Sequence, residues 1–378
     1  MKLFALALSF LTVAPDSFDT AVKKKGFGNR LEELRSISQL ESLPERQNGK
    51  PYDGPIIDSL QHVHIGYGRV ENWVSTKGRQ PEITAKDFPG IIKSVDVKHA
   101  ITMETPRIKK LEGDDVAIEY GKKHTTYSAF CSPHFVADTK WDKDRMLKKA
   151  PWRIDRIDQR LTDGECIGVG EVGIMHWDKT VKYKQLGLSD KQHSQKKVTI
   201  DIDHPNLHRV FGIVNKHRVP IFLHVEPYNS AIDVDDTQKY MDWYQEICRQ
   251  YPHTKFILSH NSMMEPEKLD EVFDHCDNFY SQVKIMQHDT WRFYWKFHDL
   301  HIVNDMDYRF KERWAKFIEK WPDRMMYGSD IKQRLFLKKP NHYSTLIGNV
   351  RTMVGGLDKD VQKKFMYGNA KKVFNLNM

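Results

Sequence analysis

Five short segments that carry acidic or imidazole side chains recur along this chain at intervals close to multiples of one length. Each segment ends or directly follows a short apolar run typical of a β-strand, and the five are His62-Val63-His64, Gly170-Glu171, His224, His260 and Gly328-Ser329-Asp330. The interval from His224 to His260 is 36 residues, and that from His260 to Asp330 is 70, about twice as long. The interval from His64 to Glu171 is 107, about three such lengths, and that from Glu171 to His224 is 53, one length plus an insertion. This spacing predicts strands 1, 4, 5, 6 and 8 of an eight-fold βα repeat, which is a (β/α)8 TIM barrel. The apolar runs predict the eight strands at Ile56–His64, His99–Met103, Tyr127–Cys131, Cys166–Glu171, Val219–His224, Lys255–His260, Phe279–Val283 and Met325–Gly328.

The five segments are predicted to converge, because the carboxyl ends of all strands in such a barrel face one central cavity. His62 and His64 lie two residues apart on a strand, and this spacing puts both side chains on the same face. His224 and His260 each close a buried apolar strand, where an imidazole needs a partner for its ring nitrogens. Imidazoles and carboxylates that meet in one cavity are the ligands of a divalent metal. The predicted metal ligands are His62, His64, Glu171, His224, His260 and Asp330.

Each of these segments has a simpler explanation when it is taken alone. The chain contains 18 histidines, so a histidine pair can lie in an ordinary loop, and a core histidine can bond to the backbone. Glu171 can belong to a surface turn, and Asp330 can cap the helix that follows. The ordered set of five segments is what favours a metal site.

Composition and length fit a barrel that acts on small molecules. The chain has 378 residues, and a (β/α)8 barrel needs about 250 with loops added to that number. The net charge of +8 is spread along the whole chain without an arginine-rich arm. It favours anionic small molecules as partners and disfavours nucleic acid. Basic or imidazole side chains that follow predicted strand ends, and that could meet such a substrate or pack in ordinary loops, are His134, His176, Lys284, His288, Lys332 and Arg334. Two loop insertions are predicted where a barrel builds its substrate loops, after strand 4 (174–203) and after strand 7 (284–309).

The N-terminus predicts an exported protein. Met1-Lys2 is followed by the apolar stretch LFALALSFLTVA, which is shorter than the roughly 20 residues that span a membrane. We therefore predict a signal peptide at 1–18, an N-terminal arm at 19–54 and the barrel at 55–378, with no membrane span in the mature protein. The predicted location is periplasmic or secreted, and it becomes cytoplasmic if the apolar segment is not a signal. The four cysteines show no CxxC and no disulfide-framework spacing, so four free thiols are expected.

In this order, the five segments resemble the amidohydrolase superfamily. The GVGEVG sequence around Glu171 is similar to the TatD-like branch. The YGSD sequence that ends at Asp330, and the Gly-Asn-Ala within Tyr367–Phe374, resemble the amidohydrolase-related (family 2) branch. The resemblance covers about residues 55–376. It departs at two points. The first motif of the family has an aspartate two positions before the first histidine, whereas Asp58 precedes His62 by four. Some relatives also use a carboxylated lysine after strand 4, and Glu171 occupies that place here, so no such modification is implied.

The resemblance implies a metal-dependent hydrolase in which metal-activated water attacks a small ester, lactone, amide or phosphoester. One ion would be held by His62, His64 and Asp330, and a second would be held or bridged by Glu171, His224 and His260. With a single ion, His224 would join the first set and His260 would polarise the substrate. The catalytic residues would be Asp330, as the group that takes and returns a proton, and His260. Nitrogen and oxygen ligands suit zinc first, and also manganese or iron.

Three other functions remain open at this stage. Some similar barrels decarboxylate aromatic or unsaturated acids, the TatD-like branch contains nucleases, and a barrel of this kind can also be a non-catalytic binding protein. The complete set of six ligands favours hydrolysis over decarboxylation and over a non-catalytic barrel. The predicted signal peptide and the family 2 tail disfavour a nuclease. The expected partner is a small, anionic substrate, and a homodimer is common among barrels of this class.

Overall fold

The computed structural model describes residues 45–63, 88–104, 113–132, 143–177, 197–229, 234–285, 303–304, 307–332 and 341–378. All of them lie in one unit, Glu45–Met378. The predicted signal peptide at 1–18 lies outside the described residues, as does most of the predicted arm at 19–54. The described end of the arm bonds to later parts of the chain, because Arg46 N donates to Phe310 O and Tyr52 N donates to Arg351 O. The domain boundaries stay predictions.

Twelve strands are present in the described residues: β1 Ile56–Val63, β2 Val97–Glu104, β3 Tyr127–Ala129, β4 Val169–Trp177, β5 Lys197–Thr199, β6 Pro220–Val225, β7 Tyr228–Asn229, β8 Val234–Asp235, β9 Lys255–Leu258, β10 Phe279–Val283, β11 Met325–Tyr327 and β12 Ile331–Lys332. One parallel sheet has the order β12-β1-β2-β3, and a second has β11-β10-β9-β6-β4 in parallel with β5 antiparallel at its edge. A parallel bridge between Cys131 and Val169 joins the end of β3 to β4. At the other side β12, which follows directly after Asp330, pairs with β1. Eight strands therefore follow one another in chain order, namely β1, β2, β3, β4, β6, β9, β10 and β11. This order is the (β/α)8 TIM barrel predicted from the spacing.

Ten α-helices are present in the described residues, and the first seven lie between strands: α1 Phe88–Ser94, α2 Gly113–Lys123, α3 Lys143–Thr162, α4 Pro205–His217, α5 Thr237–Gln250, α6 Pro266–His275, α7 Glu312–Lys320, α8 His342–Val354, α9 Lys359–Lys363 and α10 Asn369–Val373. A 3-10 turn at Ser259–Met263 follows β9, and a π-helical turn at Lys364–Gly368 joins α9 to α10. Helix α6 shows how the sequence forms them. It has Pro at its first turn and buries Leu269, Val272 and Phe273, whose spacing puts one apolar face against the strands. The main hydrophobic core lies between such helix faces and the sheet. Among the described helices, none is both long and apolar enough to cross a membrane.

A second apolar cluster fills the inside of the barrel toward the amino ends of the strands. It contains Phe222 of β6, Ile257 of β9 and Met326 of β11, and the C-terminal helix α10 adds Val373 and Phe374. The ring of Phe374 stacks on that of Phe222 with centroids 6.1 Å apart. The C-terminal segment therefore closes this end of the barrel, and the polar side chains of the strands are left at the opposite, carboxyl end.

The predicted strand positions agree with the structure, with one informative difference. Strand 4 was expected at Cys166–Glu171, but β4 begins at Val169 and continues to Trp177. The extension is stable because its last residues pair antiparallel with β5, so the lysine-rich insertion after strand 4 begins as a hairpin. Residues 178–196 of that insertion and 286–302 of the one after strand 7 lie outside the described residues.

The expectation of four free thiols is wrong. Cys131 forms a disulfide with Cys166, and Cys248 forms one with Cys276, with Cα atoms 5.7 and 5.8 Å apart. The first joins the end of β3 to the segment before β4, and the second joins α5 to the end of α6. Neighbouring elements of the barrel bring each pair together, which a spacing of 35 or 28 residues along the chain did not reveal.

Candidate metal centre

His62 reaches the cavity because β1 is irregular just before it. The register between β1 and β2 shifts between Asp58 and Gln61. Asp58 is fully buried and accepts hydrogen bonds from the Gln61 side chain, the Tyr343 hydroxyl, and both the backbone N–H and the hydroxyl of Ser329. The aspartate that looked displaced in the sequence therefore ties β1 to the segment after β11. The register shift places one extra residue in β1 between Asp58 and Gln61.

Glu171 follows Gly170, which no other residue can replace without displacing neighbouring atoms. Gly170 has φ +153°, and a Cβ there would meet the Cβ of Phe222 at 2.7 Å. The peptide bond between Gly170 and Glu171 is cis. Gly170 N donates to Cys131 O, which fixes this point of β4 against β3. The Glu171 side chain is buried, with 8% of its surface exposed.

His224 lies on β6 two residues beyond Phe222 of the inner cluster, and strand alternation puts Glu226 on the same face again. The Nδ1 atom of His224 is 2.9 Å from Oε1 of Glu171. Its Nε2 atom is 3.2 Å from Oε1 of Glu226, whose residue is 1% exposed. Each ring nitrogen of His224 therefore faces a buried carboxylate.

His260 is turned into the site by an unusual backbone segment after β9. His260, Asn261, Ser262 and Met263 all have φ between 51° and 57°, a left-handed conformation that non-glycine residues rarely adopt in succession. Tertiary hydrogen bonds fix this turn: Gln282 Oε1 accepts from His260 N, and Asn261 Oδ1 accepts from the Ser281 hydroxyl. The sheet neighbour β10 therefore determines where the imidazole lies.

Asp330 is placed by β1 and by Gln282, which also supports His260. Its φ is +49°, its N–H donates to Leu60 O, and Gln282 donates to the neighbouring Gly328 O. The carboxylate Oδ2 lies 2.5 Å from Nζ of Lys284, the first residue after β10. Lys284 thus brings a positive charge to the carboxyl end of the barrel.

These elements bring five of the six predicted ligands together. Asp330 Oδ1 is 3.0 Å and Glu171 Oε2 is 3.7 Å from His62 Nε2. Asp330 Oδ2 is 3.5 Å and Glu171 Oε1 is 3.6 Å from His260 Nε2. Glu171, His224 and His260 offer ligand atoms that all lie within 4.8 Å of one another. Each of the two carboxylates faces more than one imidazole, through different oxygens.

The donor set fits a divalent cation. Ligand atoms that share an ion at about 2.1 Å are about 3.0–3.4 Å apart, close to the separations found here. The carboxylates of Glu171 and Glu226, which are buried, and of Asp330, which is 11% exposed, lie at one end of the barrel beside the Lys284 ammonium. Buried charge of one sign needs a counter-charge, which a divalent ion supplies.

The electrostatics of the residues agree with this arrangement. Burial alone would raise the pKa of Glu171, but His224 and the other two imidazoles lower it well below its usual range. Burial likewise opposes ionisation of Asp330, yet Lys284 first and His260 next lower the pKa of its carboxyl. Burial would lower the pKa of His224, but Glu171 and Glu226 raise it to about 10. For His260 burial prevails and lowers its pKa to about 4.

The remaining sequence predictions are mixed in outcome. His64 lies outside the described residues, so its part in the site stays a prediction. Sequence reasoning named Lys284 only among several cations after strand ends, and it missed Glu226 and Gln282. The signal for both was available, because each continues the period-two pattern of an inward-facing strand: Phe222, His224 and Glu226 on one, and Tyr280, Gln282 and Lys284 on the other.

Comparison with solved structures supports the fold. A 2,6-dihydroxybenzoate decarboxylase from Rhizobium has a TM-score of 0.51 at 12% sequence identity, over 86% of this chain and 99% of that one. A dihydroxybenzoic acid decarboxylase from Polaromonas sp. JS666, with bound manganese and the inhibitor 2-nitroresorcinol, has a TM-score of 0.50 at 14% identity, over 86% of this chain and 98% of that one. At such identities the similarity concerns the fold alone. No curated protein matches the chain by sequence.

A family model described as Amidohydrolase matches residues 186–376, half of the chain. The match includes the strands that carry His224, His260 and Asp330, and also the C-terminal helix that closes the barrel. His62 and Glu171 lie outside the matched range, and the structure brings them to the same site. The chain therefore belongs to the amidohydrolase superfamily, in its amidohydrolase-related (family 2) branch, and is an enzyme of that family.

Proposed function

We propose that this enzyme hydrolyses a small anionic ester, lactone, amide or phosphoester with the help of a divalent metal. One observation supports this most directly: Glu171 and Asp330 each lie between two or more imidazoles, at the carboxyl end of the barrel. A bound divalent ion would act there as a Lewis acid that activates water and polarises the substrate.

His62 and Asp330 Oδ1 form one group of ligand atoms, which His64 would complete, and His224 and His260 form another. Glu171 faces both groups, with Oε2 toward His62 and Oε1 toward the other two imidazoles. If two ions are bound, His62, His64 and Asp330 would hold one, His224 and His260 would hold the other, and Glu171 could serve either. With a single ion, His260 would contact the substrate and not the metal. Zinc is the first choice for such nitrogen and oxygen ligands, and manganese or iron also suit them.

Asp330 is the proposed proton carrier. Its carboxylate is 11% exposed, it faces both His62 and His260, and Lys284 favours its ionised form. An ionised carboxylate at this position accepts a proton from the attacking water and returns it to the leaving group. His260 is neutral near pH 7 because its pKa is low, so its ring can donate one hydrogen bond and accept another.

Lys284 supports an anionic substrate. Its ammonium lies at the ligand cluster, and 15% of the side chain is exposed. A carboxylate that approaches the metal ligands meets this charge. The same feature supports the alternative reaction, decarboxylation of an aromatic or unsaturated acid, because two structures of similar fold are named as decarboxylases of dihydroxybenzoates. A TatD-like nuclease remains a third possibility within the branch that GVGEVG resembles.

Metal content and product analysis test the proposal together. Purified protein supplied with zinc or manganese should hold one or two equivalents by elemental analysis, and His62→Ala/His64→Ala should lose at least one of them. Asp330→Asn should lose activity on the matching substrate by a factor of at least about 100, since proton transfer contributes that much. The substrate panel should pair carboxylated lactones and esters with hydroxybenzoates and a phosphodiester. Release of CO2 without water uptake would assign decarboxylation, and a wild type that holds no metal would refute the metal-dependent reading.

The location is also a proposal. We infer an exported protein whose residues 1–18 are removed as a signal peptide. The two disulfides support it, since such bonds persist in oxidising compartments. Intact-mass analysis of the protein from extracellular or periplasmic fractions would test it, and a full-length protein with all four thiols reduced would argue for the cytoplasm.

A further inference from the structure

Glu226 is a buried carboxylate that the proposed reaction does not use. It follows β6 directly, and its backbone N–H donates to Met175 O, so strand pairing continues beyond the last residue of β6. The residue is 1% exposed, and its Oε1 atom lies 3.2 Å from Nε2 of His224. A carboxylate at such depth is costly unless a charged or hydrogen-bonding partner faces it.

The two ring nitrogens of His224 face different carboxylates on opposite edges of the ring. Nδ1 faces Glu171, 2.9 Å away, inside the group of ligand atoms that also includes His260. Nε2 faces Glu226 on the opposite edge of the ring. A neutral imidazole carries a hydrogen on one nitrogen and a lone pair on the other, and only the lone pair can bind a metal.

We propose that Glu226 is a positioning residue, which accepts the Nε2 hydrogen of His224 and thereby directs the Nδ1 lone pair toward the metal ligands Glu171 and His260. This proposal rests on the metal site of the proposed function and adds a residue to it. Carboxylates that accept the second hydrogen of a metal-bound histidine fix its ring orientation and tautomer. Glu226 plays that part here for the histidine of β6.

The geometry distinguishes this role from direct coordination. The N–H of a neutral imidazole and the lone pair on its other nitrogen point in divergent directions, so a carboxylate that accepts from Nε2 would lie on the other edge of the ring from an ion at Nδ1. Glu171 and His260 already supply carboxylate oxygen and imidazole nitrogen on the Nδ1 side. Glu226 therefore acts through His224 and not on the ion itself.

Two variants separate the hydrogen bond from the charge. Glu226→Met removes the acceptor and keeps an apolar side chain of similar length. Glu226→Gln keeps a carbonyl oxygen that can still accept from Nε2. Asp270→Asn is the matched control, because this carboxylate on α6 bonds to the Trp321 indole and to Lys320, away from the metal centre.

Zinc affinity is measured by competition with a chelating dye, on full-length protein stripped of metal. Glu226→Met should weaken zinc binding about 10- to 100-fold, the effect known for such outer partners, and Glu226→Gln should weaken it less. Asp270→Asn should bind zinc like the wild type. In nitrogen-15 spectra of the zinc-loaded wild type, His224 should show an Nε2–H that is protected from exchange. That signal should broaden in Glu226→Met.

The outcomes distinguish this inference from the proposed function. If the wild type binds no zinc, the metal site itself is refuted. If the wild type binds zinc and Glu226→Met binds it equally well with the same Nε2–H signal, the role of Glu226 is refuted and the metal site stands. Cobalt substitution supplies the last test: a changed coordination number in Glu226→Gln would make Glu226 a direct ligand, which also overturns the positioning role.

Discussion

Asp58→Asn is the substitution whose effect the structure defines most closely. Oδ1 of Asp58 accepts from Ser329 N at 2.8 Å, and Oδ2 accepts from the Gln61 amide at 2.8 Å and from the hydroxyls of Ser329 and Tyr343 at 2.7 and 2.9 Å. The hydroxyls can rotate to meet a new amide group, whereas Ser329 N–H is a fixed donor. The Gln61 amide could present its oxygen only by turning Nε2 away from Tyr343, to which Nε2 also donates at 3.1 Å. In either orientation, the asparagine NH2 therefore faces a donor, which is Gln61 in one case and Ser329 N in the other.

One buried donor then loses its acceptor, which costs about 1–3 kcal/mol of unfolding free energy. The loss also reaches the site, because Ser329 precedes Asp330, whose backbone has φ +49° and depends on tertiary bonds for that conformation. We expect zinc affinity to fall by about tenfold, at the lower end of the effect of losing such support. Tyr343→Phe is the control: it removes one hydroxyl donor and should cost about 0.5–1.5 kcal/mol.

Urea unfolding of the metal-free protein measures the first effect, with the midpoint and slope compared among wild type, Asp58→Asn and Tyr343→Phe. Dye competition measures the second. An Asp58→Asn protein with the wild-type midpoint, slope and zinc affinity would refute the prediction. It would show that the hydrogen bonds to Asp58 do not support Asp330.

Three further predictions follow from other parts of the structure. The pKa of His224 is raised to about 10, so its ion pairs stabilise the metal-free protein fully below about pH 6.5 and lose that effect as the pH rises toward 10. Urea unfolding at each pH should show that the unfolding free energy of the wild type falls over this window, and that the free energy of His224→Gln falls less. Gly170→Ala should destabilise the fold by about 1–3 kcal/mol, since φ +153° and the 2.7 Å approach to Phe222 leave no room for a Cβ, and calorimetry would refute this with an unchanged melting temperature. Replacing both Cys131 and Cys166 by serine should lower the unfolding free energy by about 2–4 kcal/mol, because the disulfide closes a loop of 35 residues; equal stability of the variant and the wild type under oxidising conditions would contradict it.

The fold followed from the sequence to a large extent. Strand 7 was predicted at Phe279–Val283 and lies there, and strands 1, 5 and 6 agree within a few residues. Local patterns suffice for this because a parallel barrel strand is a short apolar run between helices, and its length and spacing are repeated along the chain. The choice of ligands succeeded for the same reason, since His62, Glu171, His224, His260 and Asp330 stand at or near the ends of such runs.

Other features depend on residues that are far apart in the chain, and only the tertiary structure decided them. The disulfide partners meet because β3 lies beside β4 and α5 lies beside α6. The left-handed turn at His260 is held by Gln282 of the neighbouring strand, and no local propensity favours it.

The sequence by itself therefore determined the type and order of the strands and which side chains end them, because alternation and repeat length are local properties. The tertiary structure decided how those side chains are supported. Asp58 holds Ser329 across 271 residues of sequence, and Glu226 gains its role only because β6 places it against the far side of the His224 ring. Hydrogen-bond partners of buried polar groups are chosen by which strands become neighbours, and that choice is made by the packing of the whole barrel.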